Sequence, residues 1–376
     1  MKPGVYIHVP FCEQRCYYCA FTVAVAPQSA YEPYIRRLVR EVEISGFNEP
    51  PETIYLGGGT PSIVPAAMLG RILDLFTERP AEVSVEVNPG TLAEEKLIEY
   101  RDIGITRISL GAQSLEDEDL QRAGRLHRAA AVFDDFAMLR RLGFSNVNMD
   151  LIAGLPGQRI ETWIQNLDKA VELRPEHISV YMLDVEERSA WGKHTPPLPR
   201  DEDFAAFYSE AESRLQSAGY VHYEISNWAL PGRECRHNRG YWTGVPYRGF
   251  GVGAHSYDGN RRHWNTASLA EYADRIDSGR LPVAGEETLT PAMRLEEAFL
   301  LGLRQTAGLD IGAAADRVGI HYSPEWFARV RQLQEAGCVE FDGAVLKLTP
   351  SGRLVASAIT EELLWSCPLS TFEATP

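Results

Sequence analysis

Short apolar runs and helical stripes alternate through the first two-thirds of the chain. Residues 5–9, 53–56, 83–87, 107–110, 146–152 and 178–183 predict six strands. Between them, apolar residues recur at helical spacing over 31–44 (Tyr34, Leu38, Val42), 68–76, 93–100, 129–142 and 160–173. Strand, helix and strand again is the sequence form of a parallel sheet with crossover helices. Six such units predict an α/β fold with a partial (β/α)6 barrel over residues 1–226 rather than the full eight-fold one. From about Pro291 the pattern changes. A helix is expected over 295–303, with Leu295, Phe299, Leu300 and Leu303 as its apolar positions, and another on Trp326, Val330 and Leu333, ended at Gly337. A hairpin follows (339–341 and 345–348, turning at Asp342-Gly343), then a helix over 349–364 capped by Thr349 before Pro350. Residues 291–376 therefore read as a winged-helix-like α+β domain, 227–290 as a connecting region, and the tail after Leu364 as frayed.

Charge narrows the class. The 376 residues carry a formal net charge of -15, with 44% hydrophobic and 24% charged residues. That balance argues against a general binder of nucleic acid or anionic membranes, both of which reward a basic surface. Residues 291–376 alone hold 7 Lys or Arg against 11 Asp or Glu, 7 − 11 = −4, so a lid or a protein-binding face suits this domain better than DNA. No apolar run reaches the roughly 18 residues that would span a bilayer, and the N-terminus enters a strand without a charged and apolar leader. A soluble cytoplasmic protein is expected. Six cysteines, three of them clustered, suit a reducing compartment and metal binding.

The clustered three carry the chemistry. Cys12, Cys16 and Cys19 follow the first predicted strand, and ligands in parallel α/β folds sit beyond the carboxyl ends of the strands. Cysteine thiolates hold iron–sulfur clusters, and a four-iron cluster takes four of them. Cys235, Cys338 and Cys367 are over two hundred residues away, so a cluster here would keep one iron open for chemistry. A structural zinc completed by Cys235 and His237 is the alternative that spacing leaves standing.

Other strand ends are polar or glycine-rich. Gly57-Gly58-Gly59-Thr60-Pro61 offers backbone N–H groups to a carboxylate or amine, or else simply turns tightly. The third strand carries Glu86 and ends Asn88-Pro89-Gly90. The fourth ends Ser109-Leu110-Gly111-Ala112-Gln113, with Arg125 and His127 beyond. The fifth holds Asp150, a carboxylate in an apolar strand, which calls for a ligand hydroxyl or a basic partner. Far along the chain, Cys235-Arg236-His237-Asn238-Arg239-Gly240-Tyr241-Trp242 offers an imidazole and two aromatic faces, or only packing. His222, His255 and His263 are expected to pack or to hydrogen-bond. The glycine-rich 249–256 is not a dinucleotide fingerprint, since it neither follows a clear strand nor opens a helix.

The run Y-I-H-V-P-F-C-x3-C-x2-C, then G-G-G-T-P, S-L-G-A-Q-S and D-L-I-A-G-L-P-G-Q, resembles the radical S-adenosylmethionine (SAM) enzymes, in the branch of the oxygen-independent coproporphyrinogen dehydrogenases. The resemblance implies a [4Fe–4S] cluster on Cys12, Cys16 and Cys19 whose fourth iron chelates SAM. It also implies Tyr6 beside SAM, Gly58, Gly59 and Thr60 at its amino-acid portion, and Glu86 in contact with it. Gln113, Arg125 and Asp150 match a second SAM or substrate-side pocket, and Tyr18 an aromatic position beside the cysteines. Two departures follow. Phe21 stands where the dehydrogenase pattern has a further cysteine, and the longer N-terminal segment of those enzymes is missing before Tyr6. Both departures, and the H-N-x-x-Y-W run, resemble the haem chaperones of the same branch. That resemblance implies haem at His237, Tyr241 and Trp242, delivery to apo-haemoproteins, and a homodimer. A SAM-dependent radical oxidase or decarboxylase of a tetrapyrrole is the alternative, and a winged-helix regulator with a redox cluster a distant third.

Overall fold

In the computed structural model, which describes residues 2–76 and 78–366, the six expected strands form one parallel array: β1 (Gly4–Val9), β2 (Thr53–Gly58), β3 (Glu82–Val87), β4 (Arg107–Gln113), β5 (Val147–Ala153) and β6 (His177–Met182). Helices α1 (Tyr31–Ser45), α2 (Ala66–Leu73), α3 (Glu94–Asp102), α4 (Asp117–Arg122), α5 (Ala129–Arg141), α6 (Ile160–Leu173) and α7 (Asp201–Ser217) fill the connections. Register explains the strand composition. Tyr6, Tyr55, Ser84, Arg107, Asn148 and His177 lie on one face, and Val5, Ile54, Val83, Ile108, Val147 and Ile178 on the other. The second face is fully buried under Leu38, Leu69, Leu97, Phe136 and Trp163 of the helices. Burying these aliphatic side chains contributes roughly 1.5–3 kcal/mol each before entropy is charged against it.

The first face is polar although much of it is buried. Such groups are tolerated when they bond to one another. Asn148 donates to Ser109 Oγ (2.7 Å) and Asp150 Oδ1 (2.8 Å), and its Oδ1 meets His177 Nδ1 (2.6 Å). His177 Nε2 reaches the Tyr223 hydroxyl at 2.8 Å.

Residues 227–290, expected as a connecting region, supply five strands to the same sheet: β8 (Asn227–Ala229), β9 (Tyr247–Phe250), β10 (His255–Tyr257), β11 (Arg261–Asn265) and β12 (Val283–Thr288). With β7 (Val221–Glu224), the order is β12-β11-β10-β9-β1-β2-β3-β4-β5-β6-β8-β7. The expected boundary at 226 falls between β7 and β8, which pair antiparallel. Strand β9 runs parallel to β1, so a segment from late in the chain adds a seventh parallel strand. Helices α8 (Arg236–Trp242) and α9 (Leu269–Asp277) lie within this region.

A second core forms on Leu295, Phe299, Trp326, Val330, Leu346 and Leu363. It joins α10 (Pro291–Gly302), α11 (Ile311–Val318), α12 (Pro324–Glu335), α13 (Ala356–Trp365) and a small antiparallel sheet, β13 (Leu309–Asp310), β14 (Val339–Phe341) and β15 (Val345–Leu348). Leu300, expected on the apolar stripe of α10, is 48% exposed. The single helix expected over 349–364 is two. Val355 leaves the helical region, and Gly352 lies so close to the Cys338 carbonyl that a Cβ would come within 1.9 Å of its oxygen. The tail beyond Ser366 lies outside the described residues. Among the described residues, no helix is long and apolar enough to cross a membrane.

Candidate functional site: a thiol-lined cavity at the strand ends

The loop after β1 is tied down at several points. Gln14 Nε2 donates to the Gly124 carbonyl (2.8 Å), Tyr17 N to Ala123 O (3.1 Å) and Arg15 Nε to Cys19 O (3.2 Å). This brings Cys12, Cys16 and Cys19 onto one wall of a cavity of about 480 Å³. Tyr18, Gly58, Gly59, Thr60, Glu86, Gln113, Arg125 and Asp150 line it too, so residues from five strand ends and the cysteine loop converge there. Tyr6 does not. Its hydroxyl bonds His8 Nδ1 (3.0 Å), its ring stacks on Tyr55 (6.3 Å between centroids), and it faces a neighbouring cavity.

Electrostatics inside the cavity are tense. Burial pushes the Cys12 thiol up to about 11 and raises that of Cys19, so thiolates here need positive charge nearby. Arg125 supplies part of it. Its Nη1 is 3.5 Å from Cys16 Sγ, and its Nη2 bonds Gly111 O (2.7 Å) and Asn88 Oδ1 (2.9 Å). Its Nε is buried with no hydrogen-bond partner among the described residues. Across the cavity, burial raises Glu86 to about 7 despite hydrogen bonds from Gly58 N (2.9 Å) and Tyr55 Oη (3.0 Å). Asp150 is raised by burial as well, and the two carboxylates repel each other. Gln113 holds φ 66, a left-handed conformation that strains a non-glycine residue and that sequence patterning did not signal.

The glycine run packs closely against its neighbours. Gly58 N bonds Glu86, Gly59 N bonds Val9 O (2.9 Å), and Thr60 N bonds Phe11 O (2.7 Å). These N–H groups are committed to the protein. What needs glycine is close approach: at Gly58 (φ 117) a Cβ would sit 2.6 Å from the His8 ring, and at Gly59 2.6 Å from the Phe11 carbonyl oxygen.

The aromatic segment lies at the opposite, amino ends of the strands. Glu82, the first residue of β3, accepts from Arg236 N (3.0 Å) and His237 N (2.9 Å), a carboxylate at the start of α8 where the helix dipole favours one. His237 is buried, and both ring nitrogens are engaged: Nδ1 with Thr53 Oγ1 (2.8 Å), Nε2 with Tyr241 Oη (2.9 Å). Burial pushes it down to about 3, so it is neutral. Trp242 faces elsewhere, under the Arg304 guanidinium at 4.5 Å. Of the three residues expected at haem, His237 and Tyr241 thus bond each other, and Trp242 packs against Arg304 of the C-terminal region. Cys235 belongs to this end too, 3.6 Å from Glu82 Oε1, so it cannot complete a zinc site with the cysteine loop. Among the described residues, no group of three or more His, Cys, Asp or Glu surrounds a single point as one ion requires.

Comparison with known proteins sharpens this picture. Residues 6–170 match the radical SAM superfamily model and 289–355 the HemN C-terminal domain model. The chain is 34% identical to the haem chaperone HemW of Bacillus subtilis, over 95% of this chain and 97% of that protein. It is 37% identical to HemW of Mycobacterium tuberculosis, over 96% and 94%. The chain belongs to the HemW family. The solved coproporphyrinogen III oxidase HemN of Escherichia coli, a radical SAM enzyme, superposes with TM-score 0.84 at 24% identity, covering 96% of this chain and 90% of that one, and so shares the fold.

Membership of a HemW-type radical SAM family brings a [4Fe–4S] cluster and SAM as cofactors. The cavity fits both. Three thiols on one wall, the Arg125 guanidinium beside Cys16 and its unpaired Nε suit a sulfide-bearing cluster, and the remaining volume faces carboxylates and small residues. The Phe21 ring is 70% exposed and lines the cavity. Sequence reasoning missed Tyr55, Tyr181 and Arg188, which also line the cavity. Tyr55 and Tyr181 lie on the polar face of their strands, a parity that was readable; Arg188 sits in a loop with no such signal.

Proposed function

We propose that this chain is a haem chaperone on a radical SAM scaffold, one that binds haem and passes it to apo-haemoproteins. The observation that carries the reading is the near full-length likeness to haem chaperones, in a chain whose cluster wall has three thiols and then Phe21. Cys12, Cys16 and Cys19 hold the cluster, while Glu86, Asp150, Gln113 and Thr60 line the space for SAM, with Tyr18 and Arg125 flanking the thiols. When bound, this pair supplies one-electron cleavage of a sulfonium carbon–sulfur bond. The protein's own part is to neutralise, orient and exclude water. Arg125 offsets thiolate charge, and Glu86, held near neutrality, can keep or release a proton at its Oε1, against the Tyr55 hydroxyl. A cytoplasmic setting and a cluster-linked homodimer accompany the proposal.

The second reading, radical oxidation or decarboxylation of a tetrapyrrole, is favoured by the intact carboxylate and arginine lining of the cavity. Anaerobic reconstitution followed by separate addition of haem and coproporphyrinogen decides between them. Haem binding with no porphyrinogen turnover is expected. Conversion to protoporphyrinogen would replace the chaperone reading.

A further inference from the structure

A second cavity, about 610 Å³, opens beside the first and shares Ala20, Phe21 and Arg188 with it. Its walls come from β1, the cysteine loop and the antiparallel extension β9–β12. Tyr6, Tyr241, Tyr247, Trp264 and Phe21 make it aromatic. Sites of roughly 300–1,000 Å³ lined by flat apolar side chains with a few polar groups take cofactor-sized ligands. The polar groups here are specific. His8 is spent, with Nδ1 on Tyr6 and Nε2 on the Thr22 carbonyl (2.8 Å). His255 is exposed, and among the described residues its ring nitrogens have no hydrogen-bond partner. It is paired in register with Trp264, the two rings stacking at 6.0 Å and 25°. Arg188 is exposed on the rim and has no ion-pair partner among the described residues.

We propose that this second cavity seats the haem cargo, with the His255 imidazole as the iron ligand and Arg188 pairing with a propionate carboxylate. The inference rests on the chaperone reading and deepens it. A neutral imidazole is the ligating form, and the His255 ring lines the cavity with its nitrogens uncommitted among the described residues. A guanidinium without a partner is suited to a carboxylate. Tyr241 lines this cavity as well as the one around His237, so the H-N-x-x-Y-W segment takes part by shaping a wall rather than by giving iron a ligand. The shared rim sets the cargo next to the cluster cavity, separated from it by the Phe21 ring.

The test is a haem titration of anaerobically reconstituted full-length protein, read by the Soret band and by magnetic circular dichroism, which reports the axial ligand. His255→Ala should weaken haem binding by at least about tenfold and lose the histidine-ligated spectrum, with added imidazole restoring it. His255→Met, which keeps most of the volume and offers a thioether, should shift the spectrum instead of abolishing it. The iron–sulfur absorbance of both variants should match the parent, which excludes a folding defect. Haem binding and spectrum unchanged in both His255 variants, with loss in His237→Ala, would overturn the assignment and leave the chaperone reading intact. A parent protein that takes up no haem at all would remove both.

Discussion

The two ends of the parallel strands use the same residue types to opposite effect. At the carboxyl ends, thiols, carboxylates and a guanidinium face open space: Cys12 and Glu86 are shifted by burial, Arg125 Nε has no partner, and Gln113 is strained. At the amino ends, a histidine, a threonine, a tyrosine and a glutamate close on one another, with His237 bonded at both nitrogens and Glu82 capping α8. Residue chemistry alone does not distinguish a site from a strut. What differs is whether the polar groups face open space or close on one another, since a site needs room for a ligand beside its shifted groups.

The sharpest way to break that contrast is Cys16→Ser. It should abolish cluster loading, seen as loss of bound iron and of visible absorbance after reconstitution, while leaving thermal stability of the cluster-free protein close to the parent. Gly58→Ala should come next, costing about 3 kcal/mol, since it combines a positive φ with a clash into His8; urea unfolding measures it, and an unchanged midpoint would remove the close-approach argument. pH probes the same end. Glu86 binds its proton more tightly folded, at about 7, than at its ordinary 4.5. Its contribution is therefore complete below about 4.5 and is lost as pH rises through about 7. Glu86→Gln should flatten that fall in the stability of the cluster-free protein, by on the order of 3 kcal/mol. A slope identical to the parent's would assign the pH dependence to other raised carboxylates, such as Glu41 (about 7) and Asp135 (about 6). At the other end, Thr53→Val removes one bond to His237 and should cost only about 1 kcal/mol, with cluster loading unchanged in the same iron assay.

The parallel strands were legible because one face of each is aliphatic and buried by helices, which leaves Val, Ile and Leu at every second position. The antiparallel extension was not. Val283–Thr288 alternates between half-buried and exposed residues and carries two glutamates, so nothing separates it from a loop until it pairs with β11. Within the site, the cysteine spacing and the odd carboxylate Asp150 were readable, since each is conspicuous in its own segment. The packing of the triple glycine was not readable, since sequence shows that side chains are missing but not what occupies their place, here His8 and the Pro10–Phe11 backbone. The surroundings of His237 were hidden for a related reason. Its motif reads as an iron site, yet only topology shows that α8 sits where β1 and β2 begin, with Gly4 and Thr53 against its ring.

The contact between Trp242 and the C-terminal region has its own consequence. Arg304 lies over that indole while also binding Glu224 Oε2 (2.6 Å) and Ser226 Oγ (3.0 Å), and Gln305 Nε2 holds the Trp242 carbonyl at 3.0 Å. A guanidinium resting on an indole alters its emission, so this tryptophan is a built-in optical gauge of how firmly residues 291–366 are seated. Any event that pried them loose would announce itself as a change in fluorescence, with no dye attached.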